Sequence, residues 1–269
     1  MTLAGKVAFI TGAARGQGRS HAVRLAQDGA AIIAVDVCAD IDAVPYKLGT
    51  SQDLDDTAEA VRAAGGRIHT AVADVRDEIA LRRAYAEGVA ELGVPTIVIA
   101  NAGVAVLSLD THPDEWSTTI DINLTGVYNT VQVAVPAMIG LGQGGSIVIV
   151  SSTAGLSGVA GNSPGGLGYT ASKHGVVGLM RAYANYLAPH WIRVNTVHPT
   201  AVSTGMIENE AVQTFVQSSP SMHGMGNALP IGRLEPEDIS DSVAWLVSDA
   251  ARYVTGVALP VDAGFTNNK

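Results

Sequence analysis

Short runs rich in valine, isoleucine and alanine recur along the chain, and segments with helical patterning separate them. The runs with strand character lie at 6–11, 31–37, 67–75, 96–103, 146–152, 192–199 and 256–264. Most are continuously apolar, as strands need to be when helices cover both faces of a parallel sheet. Regular strand–helix alternation forms right-handed βαβ units, so we predict an α/β protein with a doubly wound, parallel, seven-stranded sheet.

The size and composition of the chain fit one domain of this class. Of its 269 residues, 47% are apolar and 5% are aromatic, which favours close packing of helices on a sheet. The sequence contains no internal repeat and no linker-like segment. We therefore expect one domain that spans residues 1–269.

Charge and cysteine content argue against several functions. The net charge of −9 disfavours nucleic acid or an anionic membrane as a partner. Cys38 is the only cysteine, so we expect no intrachain disulfide, no cysteine metal cluster and no bound metal. The apolar stretch within 1–16 is too short for a signal peptide, and no window is uninterrupted for the length of a membrane span. These features predict a cytoplasmic protein.

Two connections are longer than this fold plan needs. Residues 38–52 follow the second strand run, and residues 203–230, rich in Met, Ser and Gly, follow the sixth. Long loops in a compact domain are often lids or binding loops. We expect 203–230 to be a substrate lid.

The segment TGAARGQG at 11–18 has the features of a phosphate-binding turn. It ends the first strand run and opens a helix, and Gly12, Gly16 and Gly18 allow a tight turn that a pyrophosphate can approach. The start of the helix then offers free N–H groups and a positive dipole end. A plain strand–helix turn is the alternative interpretation, but the strand–loop–helix context favours a dinucleotide site.

Asp36 ends the second strand run, where a carboxylate can accept hydrogen bonds from the ribose hydroxyls of NAD and repel the 2′-phosphate of NADP. Val37 and Cys38 supply no cation for such a phosphate. Arg15 is a contrary indication, because it can reach a 2′-phosphate. We give the carboxylate more weight and predict NAD.

Further polar residues follow the third and fourth strand runs. Asp74, which we place at the end of the third run, and Val75 can meet the adenine, and Asn101 lies in the segment NAG. Open parallel sheets bind ligands at the carboxyl ends of their strands, so these residues are expected along the dinucleotide.

The segment GNSPGGLGYTASKHG at 161–175 suggests a catalytic pair. We expect a glycine-rich loop that ends at Tyr169, with Tyr169 on the first turn of a helix and Lys173 one turn later on the same face. The lysine would lower the tyrosine pKa and make the phenol a proton acceptor near neutral pH. The alternative is an ordinary helix pair. Nearby candidates are Ser151 or Ser152, to hold a substrate oxygen, and Asn123, to complete a proton path.

The set TGxxxGxG, NAG, Asn, Ser and YxxxK, in this order over nearly the whole chain, resembles the short-chain dehydrogenase/reductase family. The resemblance implies a Rossmann-type fold and hydride transfer between a nicotinamide cofactor and an alcohol or carbonyl. It implies that Tyr169 is the general acid/base, that Lys173 adjusts the pKa of Tyr169 and binds the ribose, and that Ser152 orients the substrate. Asn123 is implied to support a water relay.

The resemblance also implies a set of cofactor-binding positions. Thr204 keeps the position that meets the carboxamide or phosphates, and Val202 keeps the one whose backbone meets the carboxamide. The full predicted set is Gly12, Arg15, Gly16, Gln17, Gly18, Asp36, Val37, Asp74, Val75, Asn101, Ala102, Gly103, Tyr169, Lys173, Pro199, Val202 and Thr204.

Several departures from the common pattern resemble the carveol dehydrogenase-type, mycofactocin-coupled branch of the family. They are Gln17 in the glycine loop, the long 38–52 loop, Thr200 in place of a usual glycine, and Ala263 in place of another. The resemblance implies that 38–52 covers a buried, slowly exchanging NAD and that an external electron acceptor is the redox partner.

The lid composition indicates the class of substrate. Apolar residues in the lid suggest an adaptable lining for a hydrophobic, terpene-like secondary alcohol, although they equally fit internal packing of the lid. They are Met206, Ile207, Phe215, Met222 and Met225, and the place of His223 is undecided.

The alternative activities are a carbonyl reductase acting on another hydrophobic or steroid-like substrate and a non-catalytic NAD-binding sensor. The helices around 127–140 and 176–188 are apolar on more than one face. Because the family usually assembles through such helices, we predict a homotetramer.

Overall fold

The computed structural model describes residues 2–159, 163–218 and 226–268. The strands are β1 Val7–Thr11, β2 Ala31–Asp36, β3 Ile68–Val72, β4 Ile97–Ala100, β5 Gly145–Val150, β6 Ile192–Pro199 and β7 Ala258–Val261. They form one seven-stranded sheet in the order β3-β2-β1-β4-β5-β6-β7, and every neighbouring pair is parallel. The predicted doubly wound sheet is confirmed.

Helices cover both faces of this sheet. They are α1 Gly16–Gln27, α2 Ser51–Ala63, α3 Glu78–Leu92, α4 Glu115–Ile120, α5 Gly126–Leu141, α6 Pro164–Leu187, α7 Glu210–Ser218 and α8 Pro236–Val247. A π-helical turn, Asp121–Thr125, joins α4 to α5. One hydrophobic cluster packs α3, α5 and α6 on the sheet, and a second packs α1, α2 and α8 on the opposite face. The strand order reverses between β1 and β4, which opens a crevice at their carboxyl ends.

The two edge strands differ from the prediction of continuously buried runs. β3 ends at Val72, whose side chain is exposed, and β7 is exposed or half-buried throughout. Each edge strand pairs on one side alone, so its outer residues meet solvent. Because β3 ends at Val72, Asp74 lies two residues beyond the strand. The sequence analysis had placed Asp74 at the strand end.

The segment 163–168 is the main local correction. The sequence predicted a flexible loop here, but α6 begins at Pro164, so Tyr169 lies in the second turn. Ser163 caps the helix by accepting a hydrogen bond from the Gly166 N–H, and Pro164 occupies a first-turn position where a missing N–H costs nothing. The glycines allow close packing: a Cβ on Gly165 would lie 2.1 Å from the Val106 carbonyl oxygen.

One continuous helical segment, Glu115–Leu141, is long and apolar enough to cross a membrane by length and composition, with a mean hydropathy of 1.2. Half of that window is buried inside the fold, where α5 packs against β4 and β5. Packing against the sheet therefore explains why this helical segment is long and apolar. The sequence analysis had not singled out this segment.

Candidate active site

A cleft opens at the carboxyl ends of β1, β2, β4 and β5 and collects most of the predicted site residues. Those that line it are Gly12, Arg15, Gly16, Gln17, Gly18, Asp36, Val37, Asp74, Val75, Asn101, Ala102, Gly103, Tyr169, Lys173 and Thr204. The dinucleotide-type residues and the Tyr–Lys pair, far apart in sequence, thus share one cavity. Asn123, Ser152, Pro199 and Val202 lie outside its wall.

The glycine turn is built for close backbone approach. A Cβ on Gly18 would lie 1.9 Å from the Gly12 carbonyl oxygen, so only glycine fits this position. Arg15 at the N-cap of α1 makes no side-chain capping bond, which leaves the first-turn N–H groups without a cap acceptor. The side-chain oxygen of Gln17 is buried without a hydrogen-bond partner. An open helix N-terminus above a glycine turn fits a pyrophosphate.

Asp36 fits a ribose with free hydroxyls. Its buried carboxylate accepts hydrogen bonds from the Ala14 N–H at 2.9 Å and the Cys38 N–H at 3.2 Å, and each oxygen retains further lone pairs. Gly49 closes over it, since a Cβ there would lie 3.5 Å from Oδ1. A 2′-phosphate would meet both negative charge and backbone at this point.

Residues 37–50, which we call the strap, cross the cleft between β2 and α2. Tyr46 extends from the strap to the far wall, where its phenol oxygen accepts a 2.9 Å hydrogen bond from the Ala105 N–H. Arg15 donates to the Lys47 carbonyl, so its guanidinium anchors the strap. The sequence had raised Arg15 as a ligand for a 2′-phosphate, and this bond gives it another role.

Tyr169 lies beside Ser152 and Lys173. The Ser152 side chain lowers the pKa of the Tyr169 phenol, and Lys173 Nζ lies 5.5 Å from the centroid of the tyrosine ring. Lys173 is buried, donates a 2.9 Å hydrogen bond to the Val150 carbonyl, and has its pKa lowered to about 8 by burial. This lysine is close to the point where it exchanges a proton at working pH.

Burial raises the pKa of Tyr169 above its usual value, and the hydrogen bond with Ser152 partly lowers it. The net direction is opposite to the lowering that the Tyr–Lys spacing predicted, because the effect of burial outweighs the lowering by Ser152. A tyrosine in this state is a protonated phenol near neutral pH.

The neighbouring serines have different roles. Ser151 is buried and its hydroxyl donates a 3.0 Å hydrogen bond to the Lys173 carbonyl. Ser152 caps a short 3₁₀ turn by accepting from the Ala154 N–H, and it lowers the pKa of Tyr169. The Ser151 hydroxyl is therefore engaged by the Lys173 backbone, whereas Ser152 acts on the phenol.

Asn123 occupies the π-helical turn between α4 and α5 and is fully buried. Its side chain accepts from the Val104 N–H and donates to the Val104 carbonyl, each at 2.8 Å. π-turns recur at functional sites. Here the turn aims Asn123 at the backbone beyond β4, so its side chain braces the cleft wall.

A family model described as Enoyl-(Acyl carrier protein) reductase matches residues 12–266. The (-)-trans-carveol dehydrogenase of Rhodococcus erythropolis is 49% identical over 276 residues, which cover 97% of this chain and 98% of that protein. A short chain dehydrogenase from Mycobacterium paratuberculosis, solved bound to NAD, is 46% identical with a TM-score of 0.92 and covers 99% of this chain and 100% of its own. The chain belongs to the short-chain dehydrogenase/reductase family.

A second solved relative is similar over the same extent. Carveol dehydrogenase from Mycobacterium avium, in complex with NAD, is 48% identical with a TM-score of 0.91, over 99% of both chains. The family predicted from the motifs is thus confirmed, as is the resemblance to carveol dehydrogenases.

Four further predicted positions of this short-chain dehydrogenase/reductase have contacts of their own, and two of them, Asp74 and Asn101, also line the cleft. Asn101 donates from its amide to the carbonyls of Thr11 and Gly12, which ties the glycine turn to β4. Asp74 forms an ion pair with Arg76 at 2.6 Å. Val202 forms a parallel bridge with Leu234, and Pro199 ends β6.

The lid positions separate in the structure. Met206 lines the cleft, whereas Ile207 and Phe215 do not. Phe215 is buried on α7. Met222, His223 and Met225 lie outside the described residues. The described part of the lid therefore contributes one of its predicted apolar residues to the cleft.

The sequence analysis missed several cleft residues of the strap, namely Ile41, Tyr46, Leu48 and Gly49. The length of the 38–52 connection was the available signal for them. Within residues 2–159, 163–218 and 226–268, no group of three or more His, Cys, Asp or Glu side chains is arranged to hold a metal.

Proposed function

We propose that this chain is an NAD-dependent alcohol dehydrogenase that interconverts an apolar, terpene-like secondary alcohol and its ketone. The observation that carries the proposal is that Tyr169 and Lys173 line the same cleft as Asp36, with Lys173 Nζ 5.5 Å from the tyrosine ring. One cleft therefore holds a candidate proton acceptor for an alcohol and a candidate carboxylate for the adenosine ribose. The carveol dehydrogenase relatives and their NAD complexes support the same activity.

The residues along the cleft suit each part of NAD. The N-terminus of α1 and the glycine turn would hold the pyrophosphate, and Asp36 would accept from the adenosine ribose hydroxyls. Lys173 would donate to the ribose on the nicotinamide side. NAD, when bound, supplies the acceptor for the hydride that leaves the carbinol carbon of the alcohol.

Tyr169 handles the proton of the reaction. In alcohol oxidation the phenolate oxygen accepts the hydroxyl proton of the substrate, and the Ser152 hydroxyl holds the substrate oxygen beside it. The positive charges of Lys173 and of the oxidised nicotinamide favour the phenolate and oppose the effect of burial. In ketone reduction the phenol returns the proton to the carbonyl oxygen, so the same residues serve a carbonyl reductase.

The walls near Tyr169 favour an apolar substrate. Val104, Ile122 and Met206 line the cleft that also contains Tyr169, and Tyr46 adds an aromatic ring. Such a lining excludes water and binds hydrocarbon rather than hydroxyl-rich sugars.

The strap supports a cofactor that exchanges slowly. The Tyr46–Ala105 hydrogen bond and the Arg15–Lys47 hydrogen bond hold the strap on opposite sides of the cleft, and Gly49 packs over Asp36. NAD would leave after these contacts open. A retained cofactor needs an external electron acceptor, as the mycofactocin-coupled resemblance implies.

A homotetramer is part of the proposal. Tyr128 and Tyr186 are exposed on α5 and α6, and a shallow groove between these helices is lined by Leu124 and Leu179. Exposed aromatic and aliphatic side chains on adjacent helices are typical of subunit contacts. The cytoplasmic location expected from the sequence stays a prediction.

The test is to add excess NAD and a panel of secondary alcohols, including terpene, cyclic and steroid alcohols, with a sugar alcohol as control. We expect reduced nicotinamide with apolar alcohols and none with the sugar alcohol. A signal of about one equivalent per subunit indicates a retained cofactor, and many equivalents indicate free exchange. No reduced nicotinamide with any alcohol, while NAD binds, would favour the sensor interpretation.

A further inference from the structure

His198 is a fully buried histidine that the proposed chemistry does not use. It lies near the end of β6, one residue before Pro199, beside the point where β5 ends and the chain continues to Ser152. The β5–β6 ladder closes with the Ser151 N–H bonded to the Val197 carbonyl at 2.9 Å. The last paired residues of this ladder are Val150 and Val197, and the next connection to β6 is made by the His198 ring, which bonds to the Ser152 carbonyl.

Both ring nitrogens of His198 have partners. Nδ1 lies 2.7 Å from the carbonyl oxygen of Ser152, and Nε2 lies 2.7 Å from the Thr196 hydroxyl. A carbonyl oxygen can only accept, so Nδ1 carries the proton and donates it. Nε2 of the neutral ring then accepts from the Thr196 hydroxyl, which selects this tautomer.

The neutral form of the ring is stable throughout the working pH range. Burial lowers the pKa of His198 to about 4, and the positive charge of Lys173 acts in the same direction. His174 also disfavours a second positive charge, whereas Asp262 and the bond to Ser152 partly oppose the lowering. The hydrogen bond to Ser152 is therefore made by one fixed tautomer.

We infer that His198 is a positioning residue that fixes the Ser152 peptide and thereby sets the hydroxyl of Ser152 against the Tyr169 phenol. Ser152 follows the last paired residues of β5, so the sheet does not hold its carbonyl. The ring of His198 supplies the missing backbone partner. The inference rests on the proposed dehydrogenase function, because the effect of Ser152 on Tyr169 matters through that chemistry.

Substitutions of His198 separate positioning from packing. His198→Leu removes the donor and retains apolar volume, whereas His198→Asn places an amide N–H near the position of Nδ1. We expect His198→Leu to lower kcat by roughly 10- to 100-fold, as displacement of a reacting group does, with little change in NAD affinity. His198→Asn should recover most of the loss. The exposed His190→Leu serves as control.

The pH profile gives a readout that a packing defect would not move. The hydrogen bond from Ser152 lowers the pKa of Tyr169, so His198→Leu should shift the rise of kcat/KM to higher pH, in the direction of Ser152→Ala. Equal losses in His198→Leu and His198→Asn with an unshifted profile would overturn the inference. Full activity of His198→Leu would also overturn it.

A measurement on the unmodified protein covers the cases in which a variant misfolds or no alcohol is turned over. Nitrogen NMR of labelled histidine should show His198 protonated at Nδ1 and not at Nε2, and Thr196→Val should weaken this preference. A wild-type ring protonated at Nε2 would overturn the inference even if the dehydrogenase activity is present. The correct tautomer without alcohol turnover would instead contradict the proposed function.

Discussion

Tyr46 and Ala105 meet across the cleft, where the Ala105 N–H donates a 2.9 Å hydrogen bond to the Tyr46 phenol oxygen. The two residues belong to different connections, one after β2 and one after β4, so this bond closes the strap over the space that a dinucleotide would fill. If the cleft holds NAD as proposed, this bond must open before the cofactor can leave.

Loss of this bond should accelerate release of NAD. Tyr46→Phe keeps the ring and its packing but removes the oxygen that Ala105 binds. A neutral hydrogen bond contributes about 0.5–1.5 kcal/mol, which corresponds to a roughly 2- to 10-fold faster dissociation rate. Displacement of bound NADH, followed by its fluorescence, measures the rate. Tyr253→Phe, at an exposed tyrosine, is the control. An unchanged dissociation rate in Tyr46→Phe would show that the Tyr46–Ala105 bond does not retain NAD.

Asp36 should determine cofactor choice. Asp36→Asn keeps the shape of the side chain but replaces the charged carboxylate that would accept hydrogen bonds from the ribose hydroxyls. NAD affinity should therefore fall by roughly 10- to 100-fold. NADP should not bind well in exchange, because Gly49 lies over the carboxylate. Calorimetric titration of both cofactors tests this. Strong NADP binding by the wild-type chain would contradict the assignment.

The glycines of α6 give a matched pair for stability. Gly165→Ala would place a Cβ 2.1 Å from the Val106 carbonyl oxygen, and a backbone atom cannot move aside. We expect a loss of at least about 2 kcal/mol in the free energy of unfolding, as overpacked sites show. Gly178→Ala on the same helix meets no atom within 4 Å. It should stabilise by about 0.5–1 kcal/mol through helix propensity.

Denaturant unfolding of both variants distinguishes the helical assignment of 163–168 from the loop that the sequence suggested. Equal stability of Gly165→Ala and wild type would mean that α6 does not pack against Val106. A lower free energy of unfolding in Gly178→Ala would mean that the exposed face of α6 is in contact with another part of the protein or with another subunit.

The pH dependence of alcohol oxidation should follow Tyr169. In the proposed mechanism the Tyr169 phenolate accepts the substrate proton. We therefore expect kcat/KM for the alcohol to rise with pH through the pKa of Tyr169 in the enzyme–NAD complex. Removal of the Ser152 hydrogen bond, which lowers that pKa, should shift the rise to higher pH in Ser152→Ala. The Ser151 hydroxyl bonds to the Lys173 carbonyl instead. Ser151→Ala should therefore leave unchanged the pH at which kcat/KM rises. Equal shifts in both variants would contradict the distinct roles.

The sheet was predictable because each strand of its centre is buried on both faces and reads as an apolar run. The glycine turn and Asp36 were predictable for a related reason: local backbone geometry dictates glycine, and strand ends of a parallel sheet meet at one edge. Tyr46 was not, since its position depends on a contact with Ala105, 59 residues away, which no local periodicity encodes.

The start of α6 shows the opposite difficulty. Several glycines in six residues predict a loop from propensity, yet tertiary contacts with Val106 and a cap at Ser163 make them helical. The net upward shift in the pKa of Tyr169 likewise depends on burial, which sequence spacing does not report.

The most direct test of the account compares wild type and Tyr169→Phe for formation of reduced nicotinamide from an apolar secondary alcohol, alongside NAD affinity. The account predicts that Tyr169→Phe binds NAD as wild type does and forms reduced nicotinamide at least about 100-fold more slowly, as loss of a general base requires. Turnover by Tyr169→Phe at the wild-type rate would contradict the assignment of Tyr169 as the proton acceptor.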